Sequence, residues 1–436
     1  MLKVGFYTLG CKVSQYETEA IAEEFERRGF IRAAFADVCD AYVINTCTVT
    51  EESDRKSRQM IRRAIRKNPK AVVAVVGCYS QRAPADIEKI DGVSVVIGTQ
   101  DKMTVVDRVI ERLENNSLGT HIADMALEGC SFEPMTVKRA PRTRAYVKIE
   151  DGCESKCSYC AIRIARGPVR SKPMAEVIKE VETLYKGGTR EIVLTGIETG
   201  SYGKDIGEGY GLAELIIELD RRHSCDRIRL GSLAPELLPP SFSEKLKGVK
   251  ILAPHFHISM QSGSDKVLAA MKRRYNVDMA LRNISALRDA FPTAMFTTDL
   301  MVGFPGEGEE DFLQTTALID KIGLLDAHVF QYSRREGTEA AYYPDQVDER
   351  VKQERSERLI AYKNKKRDEI LDEIVREGRE LSAILEVWSG GVYSAHSDSF
   401  VELSVEAPRG FSGELVSVIP ISHEGGIIKA KLAKYK

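Results

Sequence analysis

Three cysteines gathered between Asp151 and Cys160 constrain this 436-residue chain more than any other stretch. Cys153, Cys157 and Cys160 form a C-x₃-C-x₂-C run directly after the alternating segment Arg144 to Ile149, so a strand delivers a tight loop with three thiols. Three thiolates this close can cap three corners of one inorganic cluster, whereas an iron-sulfur cluster usually takes four. One iron would stay open, as a cluster needs if it must bind and reduce a small molecule. The alternative is a structural zinc, which usually takes four protein ligands, commonly as two paired knuckles. No second knuckle lies nearby.

At about 150 residues per domain the length predicts two to four domains. A net charge of −2 excludes a globally basic nucleic-acid binder while leaving room for local basic stretches. No run of eighteen apolar residues is present, and Met1 to Tyr7 reads as a strand opening, too short for a secretory signal. The expectation is a cytoplasmic protein without a membrane segment. Nine cysteines at irregular spacing then argue for metal or catalytic use in a reducing compartment.

The first third alternates short apolar runs with helical patterns, as a parallel α/β sheet does. Strands are predicted at Lys3 to Leu9, Ala41 to Asn45 and Ala71 to Val76, with helices from Gln15 to Arg28 and Glu51 to Lys67 and a short strand near Phe30 to Phe35. Each clear strand ends in a cysteine: Cys11, Cys47 and Cys78. Parallel strands place their carboxyl ends on one edge, where ligands bind, so these three thiols should converge. They are candidate ligands of a second cluster, again with one iron free. Cys39, Cys130 and Cys225 lack such placement and read as structural.

The C-x₃-C-x₂-C loop resembles that of the radical S-adenosylmethionine (SAM) enzymes, in which the open iron chelates SAM and reductive cleavage yields a 5′-deoxyadenosyl radical. Together with Thr8-Leu9-Gly10-Cys11-Lys12-Val13-Ser14-Gln15-Tyr16-Glu17, Asn45-Thr46-Cys47-Thr48-Val49-Thr50 and Val76-Gly77-Cys78-Tyr79-Ser80-Gln81, it resembles the radical SAM methylthiotransferases over the whole chain. The Gly-Cys-Lys-Val opening is similar to the branch acting on N6-threonylcarbamoyladenosine in tRNA. Ser14 stands where the family usually has Asn, and its hydroxyl can still donate to a ligand sulfur.

This resemblance implies an N-terminal parallel α/β domain over 1–114, a linker over 115–138, a radical SAM partial (β/α)6 barrel over 139–370 and a small OB-like β-barrel of the TRAM type over 371–436. Six predicted strands are too few for a closed eight-stranded barrel, and the site should lie at their carboxyl ends. Tyr159 is placed beside adenine by the resemblance, Gly187-Gly188 at the methionine end of SAM, and Gln261 and Gly303 in loops facing the cofactor. Glu198 falls where relatives often carry His or Asn.

Basic residues mark candidate tRNA contacts. The helix from Glu51 to Lys67 carries Arg62, Arg63 and Arg66, and its length of about 25 Å, at 1.5 Å per residue, can track several phosphates. Arg142 before the cysteine loop and Arg166 after it extend the set. The TRAM-like segment, with seven Lys or Arg against ten Asp or Glu, is acidic on balance, leaving Lys429, Lys431 and Lys434 as local candidates.

The resemblance implies methylthiolation of carbon-2 of N6-threonylcarbamoyladenosine next to the tRNA anticodon, with two 4Fe-4S clusters and SAM as both methyl donor and radical source. That carbon bears a hydrogen of no useful acidity, so a radical must open it. An electron donor such as flavodoxin or ferredoxin and an unspecified sulfur donor are implied, with a monomer expected. Competing readings are methylthiolation of isopentenyladenosine in tRNA or of a ribosomal-protein aspartate, and a non-catalytic tRNA-binding or iron-sulfur protein.

Overall fold

A computed structural model describes residues 1–115, 119–122, 131–140, 143–207 and 209–433. Cys130, Arg142, Lys434 and much of the expected linker lie outside the described residues.

The first unit is one parallel sheet. In chain order it contains β1 (Lys3–Thr8), α1 (Lys12–Arg27), β2 (Ile31–Ala33), β3 (Ala41–Thr46), α2 (Glu51–Lys67), β4 (Val72–Gly77), α3 (Cys78–Arg82), α4 (Pro84–Glu88), β5 (Val93–Ile97), α5 (Val105–Asn115) and β6 (Gly119–His121). The strand order is β2-β1-β3-β4-β5-β6. β3 and β4 are buried along their whole length, as strands covered on both faces must be. β6 comes from the stretch read as linker and adds an edge strand beside β5.

α2 spans the residues expected of it because both ends are specified locally. Thr50 accepts the Ser53 amide as N-cap, Glu51, Glu52 and Asp54 fill the first turn, and Arg66 and Lys67 fill the last. Met60, Ile61 and Ala64 bury its apolar stripe against the sheet.

The second unit begins with β7 (Arg144–Lys148), the hairpin β8 (Glu150–Asp151) and β9 (Arg170–Ser171) enclosing α6 (Ile162–Arg166), then α7 (Met174–Lys186) and β10 (Glu191–Thr195). It continues with α8 (Leu212–Arg221), β11 (Arg227–Leu230), α9 (Pro240–Leu246), β12 (His255–Gln261), α10 (Asp265–Ala270), α11 (Val277–Ala290), β13 (Met295–Val302), α12 (Glu309–Ile322) and β14 (Leu324–Gln331). Two parallel three-stranded sheets, β11-β10-β7 and β12-β13-β14, meet through single bridges from Ile228 to Leu252 and from Leu233 to Ile258. The six strands thus form the open partial barrel that the strand count implied.

The long helix α13 (Glu349–Glu377), capped by Asp348 and ended by Gly378 in the left-handed conformation, leads into a closed five-stranded barrel. Its strands are β15 (Leu381–Ser389), β16 (Val392–Ser397), β17 (Glu402–Glu406), β18 (Leu415–Glu424) and β19 (Ile427–Leu432). This small barrel seats on the amino-terminal ends of the partial barrel. Arg229 donates to the Ser397 and Asp398 carbonyls, Arg227 to Ser382, and Phe400 stacks on His255 with ring centroids 4.4 Å apart. No helix among the described residues is long and apolar enough to cross a membrane.

Candidate active site

The cysteine loop leaves β7 at its carboxyl end and is held by its own backbone. Gly152 has a φ of +89°, and a Cβ there would lie 1.8 Å from the Pro168 carbonyl oxygen, so only glycine admits this turn. The Ser155 amide donates to Cys153 Sγ at 3.3 Å, the Ile162 amide to Cys160 Sγ at 3.4 Å, and Arg273 Nη1 to Cys157 Sγ at 3.1 Å. Burial pushes the Cys153 thiol up, and it raises Cys160 to about 11, with the neighbouring Cys157 adding to the effect.

These three cysteines line a cavity of about 150 Å³ together with Tyr159, Gln261, Glu198, Arg163 and Arg273. Gln261 holds a φ of +63°, an unusual conformation for a side-chain-bearing residue and one often met at ligand sites. Tyr159 meets Phe304 edge to face at 6.4 Å. Both carboxylate oxygens of Glu198 are engaged, one by Ser155 Oγ at 2.9 Å and the other by Ser201 Oγ at 2.6 Å. Glu198 therefore belongs to the wall of the cysteine cavity.

The other trio gathers where the N-terminal strands end. A Cβ on Gly10, whose φ is +111°, would lie 3.1 Å from Cys47 Cβ, so Cys11 and Cys47 are drawn together by a turn that glycine permits. Cys78 begins α3 and is buried, which raises its thiol to about 11 against the opposing pull of Arg166. Burial also raises Cys47. Ser14 Oγ stands 3.8 Å from Cys11 Sγ, within reach of a hydrogen bond to sulfur.

Arg166 ties Cys78 of one trio to the segment that leads into the other. Arg166 Nε donates to Cys78 Sγ at 3.2 Å, while its Nη1 reaches Asp151, two residues ahead of Cys153, at 3.1 Å. Thr99 Oγ1 donates to the Ala165 carbonyl, and Arg335 Nη2 reaches Thr48 Oγ1 and Asp54 from the loop after β14. Among the described residues no three His, Cys, Asp or Glu side chains meet closely enough to hold a single ion. Thiols raised by burial suit metal, because coordination ionises a thiol that solvent would leave protonated.

Several expected contacts are overturned. Arg166 is fully buried and spent on Cys78, Glu17 and Asp151, so it cannot meet tRNA. Gly187-Gly188 precedes β10, and the pairing of Glu191 with Arg144 sets that turn at the amino end of the sheet, opposite the cysteine loop. There it lines a cavity with Glu386, Val387, Ser412 and Gly413 of the small barrel, where no SAM bound at the cysteines can reach it. The chain that follows β10 at the correct end is Gly196-Ile197-Glu198. Gly303, by contrast, directly follows β13 at the carboxyl end of the sheet, and a Cβ there would meet Lys352 Cγ of α13 at 2.3 Å.

By contrast, Arg62, Arg63 and Arg66 stand exposed along one side of α2. Lys429 pairs with Glu424 at 2.6 Å. Sequence reasoning missed Arg273 and Arg335, neither of which lies in a motif, and the roles of Glu17 and Asp151, which lie in the cysteine motifs but are not themselves cysteines.

A parallel six-strand partial barrel with three thiols in the loop after its first strand is the architecture of a radical SAM enzyme. Residues 147–319 match the Radical SAM superfamily, and residues 3–98 match an uncharacterized protein family, UPF0004. The fold is similar to that of TsrM, a radical S-adenosylmethionine methyltransferase from Kitasatospora setae, at a TM-score of 0.57 and 14% identity, covering 78% of this chain and 77% of that one. The chain is 40% identical, over 96% of its length and 93% of the relative's, to threonylcarbamoyladenosine tRNA methylthiotransferase MtaB of Bacillus subtilis. It is 35% identical to the MtaB of Aquifex aeolicus, over 88% of this chain and 93% of that one. With tRNA-2-methylthio-N(6)-dimethylallyladenosine synthase of Acetivibrio thermocellus it shares 30% identity over 94% and 87%. The chain belongs to the radical SAM methylthiotransferase family, in its MtaB-like branch.

Proposed function

We propose that this protein methylthiolates carbon-2 of N6-threonylcarbamoyladenosine next to the anticodon of tRNA. One observation supports the reading: a chain similar to MtaB over nearly its whole length carries two cysteine trios, with Arg166 touching Cys78 of one and Asp151 beside the other. Cys153, Cys157 and Cys160 hold the SAM-cleaving 4Fe-4S cluster, and Cys11, Cys47 and Cys78 hold a second. When bound, the first cluster and SAM supply the radical that removes the unactivated hydrogen, which no acid or base in the site could do.

The chain's own residues do the positioning. Tyr159 and Gln261 line the space beside the first trio where SAM would sit, Arg273 donates to Cys157, and Glu198 is fixed by two hydroxyls. The exposed arginines 62, 63 and 66 track phosphates, and Arg142 is a further phosphate contact. The protein works as a monomer in the cytoplasm with electrons from flavodoxin or ferredoxin.

Nucleoside mass spectrometry of tRNA from a deletion strain tests the reading. The 2-methylthio derivative of N6-threonylcarbamoyladenosine should vanish and return with the wild-type gene. Loss of the isopentenyladenosine derivative instead would move the substrate, and no change in either would overturn the proposal. Replacing Cys11, Cys47 and Cys78 with Ala should leave 5′-deoxyadenosine formation from SAM while abolishing methylthiolation. Replacing Cys153, Cys157 and Cys160 should abolish both.

A further inference from the structure

Behind Cys78 lies a group of charges shut away from water. Lys102, Lys148, Arg166 and Arg170 bring four cations, with side chains no more than 3% exposed. Glu17 and Asp151 bring two carboxylates, at 0% and 4%. Glu17 Oε1 serves Lys102 Nζ at 2.6 Å, Arg166 Nη1 at 2.6 Å and Lys148 Nζ at 3.1 Å. Asp151 Oδ2 serves Lys148 at 2.5 Å and Arg166 at 3.1 Å. Glu133 is buried nearby, but its Oε1 accepts only the Met103 amide, at 2.9 Å, and its Oε2 has no hydrogen-bond partner among the described residues. Glu150, next to Asp151, is buried too, but its Oε1 has no hydrogen-bond partner among the described residues and burial pushes its carboxyl well above the usual range, so it adds no charge; counting Glu133 as charged then leaves four cations against three carboxylates.

Buried charge left uncompensated is costly, so such a group calls for another anion in contact with it. Beyond the carboxylates, Arg170 Nη1 donates to the Arg166 and Pro168 carbonyls, Lys148 lies over the Phe132 ring, and the sulfur of Cys78 receives Arg166 Nε at 3.2 Å. Cys78 lies on the trio side of the group, and thiolates holding an iron-sulfur cluster would supply the missing negative charge.

We propose that Arg166 is a positioning residue for the cluster held by Cys11, Cys47 and Cys78, and that the surplus positive charge behind it raises that cluster's reduction potential. The inference rests on the reading of this trio as cluster ligands. Adding an electron makes a cluster more negative, so both nearby positive charge and a hydrogen bond to ligand sulfur favour the reduced state. Because the surplus is shared through Glu17, a change remote from sulfur should act with a sign set by charge alone.

The test uses the full chain with Cys153, Cys157 and Cys160 replaced by Ala, reconstituted anaerobically so that only the site of Cys11, Cys47 and Cys78 can load. Iron is counted, then the cluster is titrated with dithionite and followed by EPR of its reduced state. Arg166→Gln and Lys102→Met should each lower the potential, Arg166→Gln by tenfold or more in the reduction equilibrium, which is about 59 mV for one electron. Arg166→Lys should lower it less, and Glu17→Gln should raise it. Circular dichroism identifies variants that fold, and if Arg166→Gln does not, the opposite signs of Lys102→Met and Glu17→Gln decide. Absence of iron in the parent would overturn the ligand reading itself. A loaded parent whose folded variants share its potential, or shift in one common direction, would overturn the role of the charge alone.

Discussion

Arg273 Nη1 and Cys157 Sγ stand 3.1 Å apart, and the same guanidinium reaches the Ser259 carbonyl and lies over the Tyr275 ring. A planar group held on three sides can fix the ligand loop from the opposite sheet of the partial barrel, β12, which a flexible ammonium does less well.

Arg273→Lys should therefore retain iron but cleave SAM about 10–100-fold more slowly, the usual cost of losing a partner of a metal ligand. Formation of 5′-deoxyadenosine per reconstituted cluster is the measurement. Wild-type rates would remove Arg273 from the site.

Reversing the charge of Arg62, Arg63 and Arg66 to Glu should weaken tRNA binding and flatten its dependence on salt, by about 0.7–0.9 in the log-log slope for each phosphate no longer neutralised. The side chains are exposed, so folding should be unaffected. Binding isotherms at several salt concentrations check this, and an unchanged slope would mean that α2 faces solvent only.

Asp54 is nearly buried and takes Arg335 Nη2 at 2.5 Å and Arg82 Nη2 at 2.7 Å, so one carboxylate anchors the N-terminal sheet to the loop after β14. Asp54→Asn leaves buried guanidinium groups without a counter-charge, at a cost of about 3–5 kcal/mol. Thermal unfolding should shift down, with earlier proteolytic separation of the N-terminal unit. Unchanged melting and cleavage would contradict the anchor.

Glu191 gives a pH-dependent prediction. Burial pushes its carboxyl up, but Arg229, hydrogen-bonded to it, with Arg227 and Arg144, outweighs this and holds it at about 2. A carboxylate lowered on folding adds stability above its unfolded value, and that stability is lost as pH falls toward the folded one. Wild-type protein should lose about 3 kcal/mol from this group across that descent, at 1.36 kcal/mol per pKa unit. Denaturant unfolding at a series of pH values should show the loss, and Glu191→Gln should already lack that contribution at neutral pH.

The cysteine positions were legible because each follows a strand whose pattern was plain, and parallel strands leave little choice of edge. The span of α2 was legible because Thr50 and the distribution of charge fix both ends locally. Arg166 was not legible: its partner Glu17 lies 149 residues away, and a buried arginine looks like any other in a basic stretch. Gly187-Gly188 misled because a glycine pair closing a helix resembles a cofactor turn, and only strand direction tells the two apart. Arg273 gave no sign because its target sulfur is 116 residues distant.

The seating of Phe400 on His255 bears on how the enzyme could be trimmed. Arg227 and Arg229 are roofed by the small barrel, at 5% and 1% exposure. A chain ending before Leu381 would open this floor of charge to water and strip the arginines of the carbonyl and hydroxyl groups they now grip. The last segment is thus a foundation stone of the catalytic unit, and shortening the protein there would remove masonry along with any RNA-gripping arm.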